Sequence, residues 1–125
     1  MTELLVVMIG GAIGSGLRHL ANVAAMRLAG PNFPFGTLTV NLIGCFLMGV
    51  LIAVLARRSG DTQAVRLFFA TGVLGGFTTF SAFSLDFATL WERGTTDIAF
   101  LYVAVSVLGS LVAVFAGLWL VRSLG

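Results

Sequence analysis

The residues best equipped for chemistry fall in one stretch, Thr71 to Ser84, which contains Gly72, Gly75, Gly76, Thr78, Thr79, Ser81 and three phenylalanines. Paired glycines followed by threonines and serine continue a helix poorly. Yet the stretch lies in the middle of a long apolar run, near the midplane of any bilayer that run would cross. Non-helical backbone at such a depth persists only where it is buried in protein or lines a polar cavity. A break there frees carbonyl oxygens, those of Gly75 and Thr78 among them, which can bind a cation. It also exposes a helix N-terminus, which favours an anion. The pattern predicts a discontinuous helix at an ion site.

Beyond the break, Phe80 and Phe83 are spaced i, i+3 and share a helical face, with Phe77 and Phe87 close to it. A phenylalanine ring has a positive edge, so inward-turned edges attract a small anion without any fixed charge. Thr79, Ser81 and Ser84 add hydroxyl donors nearby. Ordinary packing of membrane phenylalanines is the competing reading. Two further polar residues suit a pore: Asn41, whose amide donates to an anion or bonds between helices, and, more weakly, Ser110. Arg18 is the one full positive charge well inside an apolar run, a position that marks either function or a side chain snorkelling to the interface. Asp86 follows the hydroxyl cluster, and pairing with an arginine is its simplest role.

These residues must be positioned by membrane helices. Of 125 residues, 58% are hydrophobic and only 10% charged, where a soluble domain carries about 25% charged residues. Each crossing takes ~20 predominantly apolar residues, so the chain has room for four and no separate soluble domain. The expected spans are 4–28, 36–55, 66–91 and 98–120, in a single all-α transmembrane domain. Gly30-Pro31-Asn32-Phe33-Pro34, Ser59-Gly60-Asp61-Thr62-Gln63 and Glu92-Arg93-Gly94-Thr95-Thr96-Asp97 separate them. Membrane strands are shorter, ~9–11 residues, and alternate in polarity. Small residues at four-residue spacing (Gly10/Gly14, Gly72/Gly76, Gly109/Ala113/Gly117) predict close helix packing.

Composition also excludes. One histidine, His19, and one cysteine, Cys45, cannot build a metal site, and no Ser/His/Asp grouping suggests an enzyme. Cys45, within an apolar run, reads as a small packing residue, and His19 beside Arg18 as a structural or interfacial pair. The basic residues are all arginine and scattered along the chain without forming a basic patch, which argues against nucleic acid as a partner. Met1 to Glu3 carries no basic residue, so a signal peptide is not expected. Arg57, Arg58, Arg66 and Arg122 fall on the side holding both termini and the middle loop, against Arg27 and Arg93 opposite, with Arg18 ambiguous because it lies within its span. That near balance permits insertion in both orientations, and two opposed copies could pair about an axis in the membrane plane; a modest N-in bias is the alternative. A small dimeric multidrug-type proton antiporter shares this size and topology, but it needs a membrane-embedded carboxylate in its first helix. The span 4–28 has none.

The sequence resembles the Fluc/CrcB family of bacterial fluoride channels over essentially its whole length. The resemblance rests on Gly10-Gly11-Ala12-Ile13-Gly14-Ser15-Gly16-Leu17-Arg18, on Gly36-Thr37-Leu38-Thr39-Val40-Asn41-Leu42-Ile43-Gly44, on Gly75-Gly76-Phe77-Thr78-Thr79-Phe80-Ser81-Ala82-Phe83-Ser84 and on Gly109-Ser110. It implies passive fluoride export across the bacterial inner membrane by an antiparallel, dual-topology homodimer with two fluoride pathways. It further implies a structural Na+ at the dimer centre, held by main-chain carbonyls of Gly75 and Thr78. Phe80 and Phe83 would then line the pathway, with Asn41 and Arg18 at the vestibule and Thr79, Ser81, Ser84 and Ser110 along the track. Asp86 stands where the family leads one to expect glutamate, and Phe77 where an aliphatic residue is common.

Overall fold

The computed structural model describes residues 1–125 and is entirely helical outside its turns and caps. Helix α1 spans Thr2–Ala29, α2 Phe35–Ala56, α3 Gln63–Arg66, α4 Gly75–Phe77, α5 Ser81–Glu92 and α6 Thr96–Leu124. Between α3 and α4, Leu67–Leu74 winds as a π-helix. Together α3, this π segment, α4 and α5 form one 30-residue membrane span, so the chain has four helices long and apolar enough to cross a bilayer. The shortest, α2, has 22 residues, enough at ~1.5 Å per residue to cover a hydrocarbon core of ~30 Å.

Local chemistry sets the ends. Helix α1 stops at Gly30, whose φ of 77° lies in the left-handed region and whose N–H bonds the Met26 carbonyl at 3.0 Å; glycine takes that conformation without steric cost. Pro31 and Pro34 then prevent the helix from resuming until Phe35. At the other membrane face, Arg57 follows α2 and its Nη2 donates to the Val121 carbonyl near the end of α6. That bond satisfies one of the orphan acceptors of a helix C-terminus with a charge of the favoured sign.

Only 19 residues are buried within the chain, and large apolar side chains such as Leu108, Phe115 and Trp119 are exposed. In lipid such faces need no covering, so the helices must be held by close backbone contact rather than by hydrophobic burial. Helix α1 packs on the π segment and α4, α2 packs on α6, and α5 also leans on α6. At the first contact a Cβ on Gly10 would come 2.5 Å from the Phe68 carbonyl oxygen, and one on Gly76 2.6 Å from that of Gly11. At the second, a Cβ on Gly117 would lie 2.8 Å from the Val50 nitrogen. A Cβ on Gly14 would strike the Val73 carbonyl oxygen and sit 2.9 Å from the Phe77 nitrogen. Backbone cannot yield there as a flexible side chain would. Gly14→Val is therefore expected to destabilise the protein by about 1–3 kcal/mol through overpacking. The readout is a lower aggregation temperature in detergent than wild type; an unchanged temperature would show that α1 can shift without loss.

A buried cluster of Phe83, Leu90, Ala99 and Tyr102 joins α5 to α6, and its Phe83 reaches the site described next.

Candidate functional site

Helical residues end at Phe77 and resume at Ser81, and Thr78 between them is extended, with φ −85° and ψ 158°. Four side-chain bonds hold the backbone in this state. Asn41, on α2, makes a two-point contact with Thr79: its Oδ1 accepts the Thr79 N–H at 2.8 Å, and its Nδ2 donates to the Thr79 carbonyl at 3.0 Å. The Thr79 hydroxyl accepts the Ala82 N–H at 3.1 Å and so caps α5. Arg18, reaching from α1, donates Nε to the Gly76 carbonyl at 3.0 Å.

These bonds decide which carbonyls are left over. In an unbroken helix the Thr79 N–H would close onto the Gly75 carbonyl and the Ala82 N–H onto that of Thr78. Both donors are diverted, the first to Asn41 and the second to the Thr79 side chain. Both the N–H and the hydroxyl of Thr78 turn back to the Leu74 carbonyl, at 3.0 and 2.9 Å. The Thr78 carbonyl receives no hydrogen bond.

A cavity of about 440 Å³ opens at this point. Asn41, Gly75, Thr78, Thr79, Phe80 and Phe83 line one part of it, and Ser110 lines the part supplied by α6. No charged side chain is among its walls. Phe80 is 76% exposed, whereas Phe83 is buried. Their ring centroids are 5.5 Å apart with planes tilted by 49°. Phe83 in turn stacks at 5.2 Å on Tyr102. Hydroxyl and amide donors with phenyl rings around an uncharged space can replace the water shell of a small anion without trapping it.

Some expected members stand elsewhere. Ser84 spends its hydroxyl on the Phe80 carbonyl at 3.0 Å, and Ser81 touches the site only through a 3.4 Å contact with the Thr79 hydroxyl. Neither lines the cavity. Arg18 holds the backbone beneath the cavity and is not part of its wall. Asp86 does not pair with an arginine: its Oδ2 accepts the Tyr102 hydroxyl at 3.0 Å. The reason is placement, because α5 packs on α6 and brings the phenol alongside the half-buried carboxylate. Cys45, read as a packing residue, lines the cavity one turn beyond Asn41.

Ser106 was missed. It is buried, it lines the cavity, and its Oγ has no hydrogen-bond partner within the chain. An orphaned donor of this kind is costly unless something outside the chain uses it. A signal for it existed: Tyr102, Ser106 and Ser110 recur every four residues on α6, as Thr37, Asn41 and Cys45 do on α2. Such spacing puts each set on one helical face.

A family model described as CrcB-like protein, Camphor Resistance (CrcB), matches residues 5–118. The chain is 62% identical over 124 residues to the fluoride-specific ion channel FluC of Mesorhizobium japonicum. It is 56% identical to the FluC of Chelativorans sp. and 54% identical to that of Agrobacterium fabrum, again over 124 residues. Each alignment covers 99% of both chains.

Proposed function

The chain belongs to the CrcB family, and on that footing we propose that it is a fluoride-selective passive channel that exports cytoplasmic fluoride. It is a multi-pass protein of the bacterial inner membrane. The observation that carries the reading is the uncharged cavity at Thr78–Phe80, walled by the Asn41 amide, the Thr79, Ser106 and Ser110 hydroxyls and the Phe80 and Phe83 rings. Fluoride is small, strongly hydrated and a strong hydrogen-bond acceptor. Several weak donors in series can strip its water and still let it leave, which one fixed cation would not. With the cell interior negative, ~2.3 kcal/mol per 100 mV favours expelling each anion. Conduction down that gradient needs no ATP, proton or redox coupling.

The finer architecture belongs to the same proposal: a third span broken at Thr78–Phe80, and two copies of opposite orientation packed as an antiparallel homodimer with two fluoride pathways. The near balance of arginines across the membrane supports dual insertion. A structural Na+ fits the residues present. The diverted hydrogen bonds leave the Gly75 and Thr78 carbonyls, both at the cavity, short of donors. Carbonyl oxygen is the donor type that replaces a monovalent cation's hydration shell. The Gly75 and Thr78 carbonyls would hold the ion, which would supply a fixed positive charge there. The chain's own part is to hold those carbonyls open, through Asn41, Arg18 and the Thr79 hydroxyl.

The test is direct. Purified protein in liposomes under a potassium gradient with valinomycin is expected to release fluoride, read with a fluoride electrode, while chloride stays trapped. Vesicles that keep their fluoride would defeat the channel reading, and equal release of chloride would defeat its selectivity.

A further inference from the structure

A second cavity, of about 280 Å³, lies at the membrane face that carries the 30–34 turn and the end of α5. Asn22, Phe33, Thr37, Asp86, Thr89 and Arg93 are among its walls. A row of aromatic rings runs from the first cavity to this one. Phe83 lines the first and stacks on Tyr102 at 5.2 Å; Tyr102 meets Phe33 edge-on at 5.5 Å, and Phe33 lines the second. Polar groups run in parallel. Ser106 faces the inner cavity, Tyr102 is one turn away on the same helix, and its hydroxyl donates to Asp86, which lines the outer cavity.

The only charged side chains around the outer cavity are Asp86 and Arg93. They are seven residues apart, about two turns of α5. An anion passing this point meets a carboxylate, and the field of that carboxylate alone would repel it. Arg93 is held in place against this: its Nη1 donates to the Asn32 carbonyl at 3.2 Å, which pins the guanidinium to the α1–α2 turn at the edge of the cavity. Asn32 and Arg93 are otherwise 61 positions apart.

We infer that this outer cavity is the aqueous mouth of the anion pathway, and that Arg93 is its steering residue, offsetting Asp86 so that fluoride can approach. The inference rests on the channel reading above. Arg93 touches neither the inner cavity nor the backbone that lines it, so its work is electrostatic and at long range. Long-range steering of an ion through water is screened by salt, with a Debye length of about 30 Å at 0.01 M and about 3 Å at 1 M. A direct structural contribution is not.

The experiment compares fluoride efflux from liposomes holding wild type, Arg93→Gln or Arg93→Lys, at about 10 mM and about 1 M of an impermeant potassium salt. Glutamine loses the charge and keeps a polar side chain; lysine keeps the charge. Arg93→Gln is expected to conduct about two- to five-fold less than wild type at low salt and to match it at high salt. Arg93→Lys is expected to follow wild type at both. Matching flux in Arg93→Gln at low salt would overturn the inference, as would a deficit of equal size at both salt concentrations. Wild type that passes no fluoride at either salt would overturn the channel reading itself, and the two failures are thereby told apart.

Discussion

Asn41→Leu is expected to lower fluoride efflux about a hundredfold, a loss that corresponds to ~2.7 kcal/mol of barrier. Leucine has nearly the shape of asparagine but offers neither donor nor acceptor. In the native chain the amide holds both backbone polar groups of Thr79, at 2.8 and 3.0 Å. Without it two responses are open. Either the Thr79 N–H and carbonyl stay where they are and lack partners, at about 1–3 kcal/mol each, or the N–H swings back to the Gly75 carbonyl and the helix closes over the gap. Both responses are incompatible with the open cavity, the first by destabilising it and the second by filling it with backbone. The measurement is electrode-monitored efflux together with size-exclusion elution. Loss of flux with native elution is the expected pair. Wild-type flux would mean that the amide–backbone contact does not hold Thr78 in its extended state.

Much of this arrangement is written in local sequence, and the part that is not has a physical reason. The four spans are legible because apolar runs of that length between Gly/Pro-rich or charged turns have few other solutions. The glycine stripes Gly10/Gly14 and Gly72/Gly76 are legible as close-packing surfaces, since small residues four apart make a flat stripe and lipid rewards backbone contact, but which stripe meets which is not. The hydroxyl stripe Tyr102, Ser106, Ser110 follows the same spacing, but single polar residues one turn apart are diluted by the apolar residues between them. The bond between Asn41 and Thr79 joins positions 38 apart, and no single sequence states such a pairing. Charge alone points Asp86 to an arginine, but packing gives it Tyr102. A half-buried carboxylate is satisfied equally by a phenol hydroxyl delivered by a neighbouring helix. The π winding of Leu67–Leu74 has no compositional mark, as the same residues wind equally well as an α-helix.

The two phenylalanines at the cavity make different experiments. Phe83 is buried and stacks on Tyr102, so replacing it removes packing between α5 and α6 as well as a ring from the cavity wall. Its loss of flux would have two explanations. Phe80 is 76% exposed within the chain, and its one aromatic neighbour is Phe83 at 5.5 Å. Truncating its ring takes little from the fold of the chain. Phe80→Ile keeps bulk and apolarity and deletes only the ring's positive edge. If fluoride passes along that edge, the lost interaction is comparable to a favourable aromatic contact, about 0.5–1.5 kcal/mol, and it is lost where the ion is least hydrated. Efflux is then expected to fall about tenfold, which is ~1.4 kcal/mol. Elution and thermal stability in detergent should stay near wild type. Undiminished flux would remove Phe80 from the pathway and leave its exposed ring to be explained by contact with a second copy. Reduced flux in a protein of native stability would instead locate the anion beside a hydrocarbon ring, in a cavity with no cation of its own side chains to hold it.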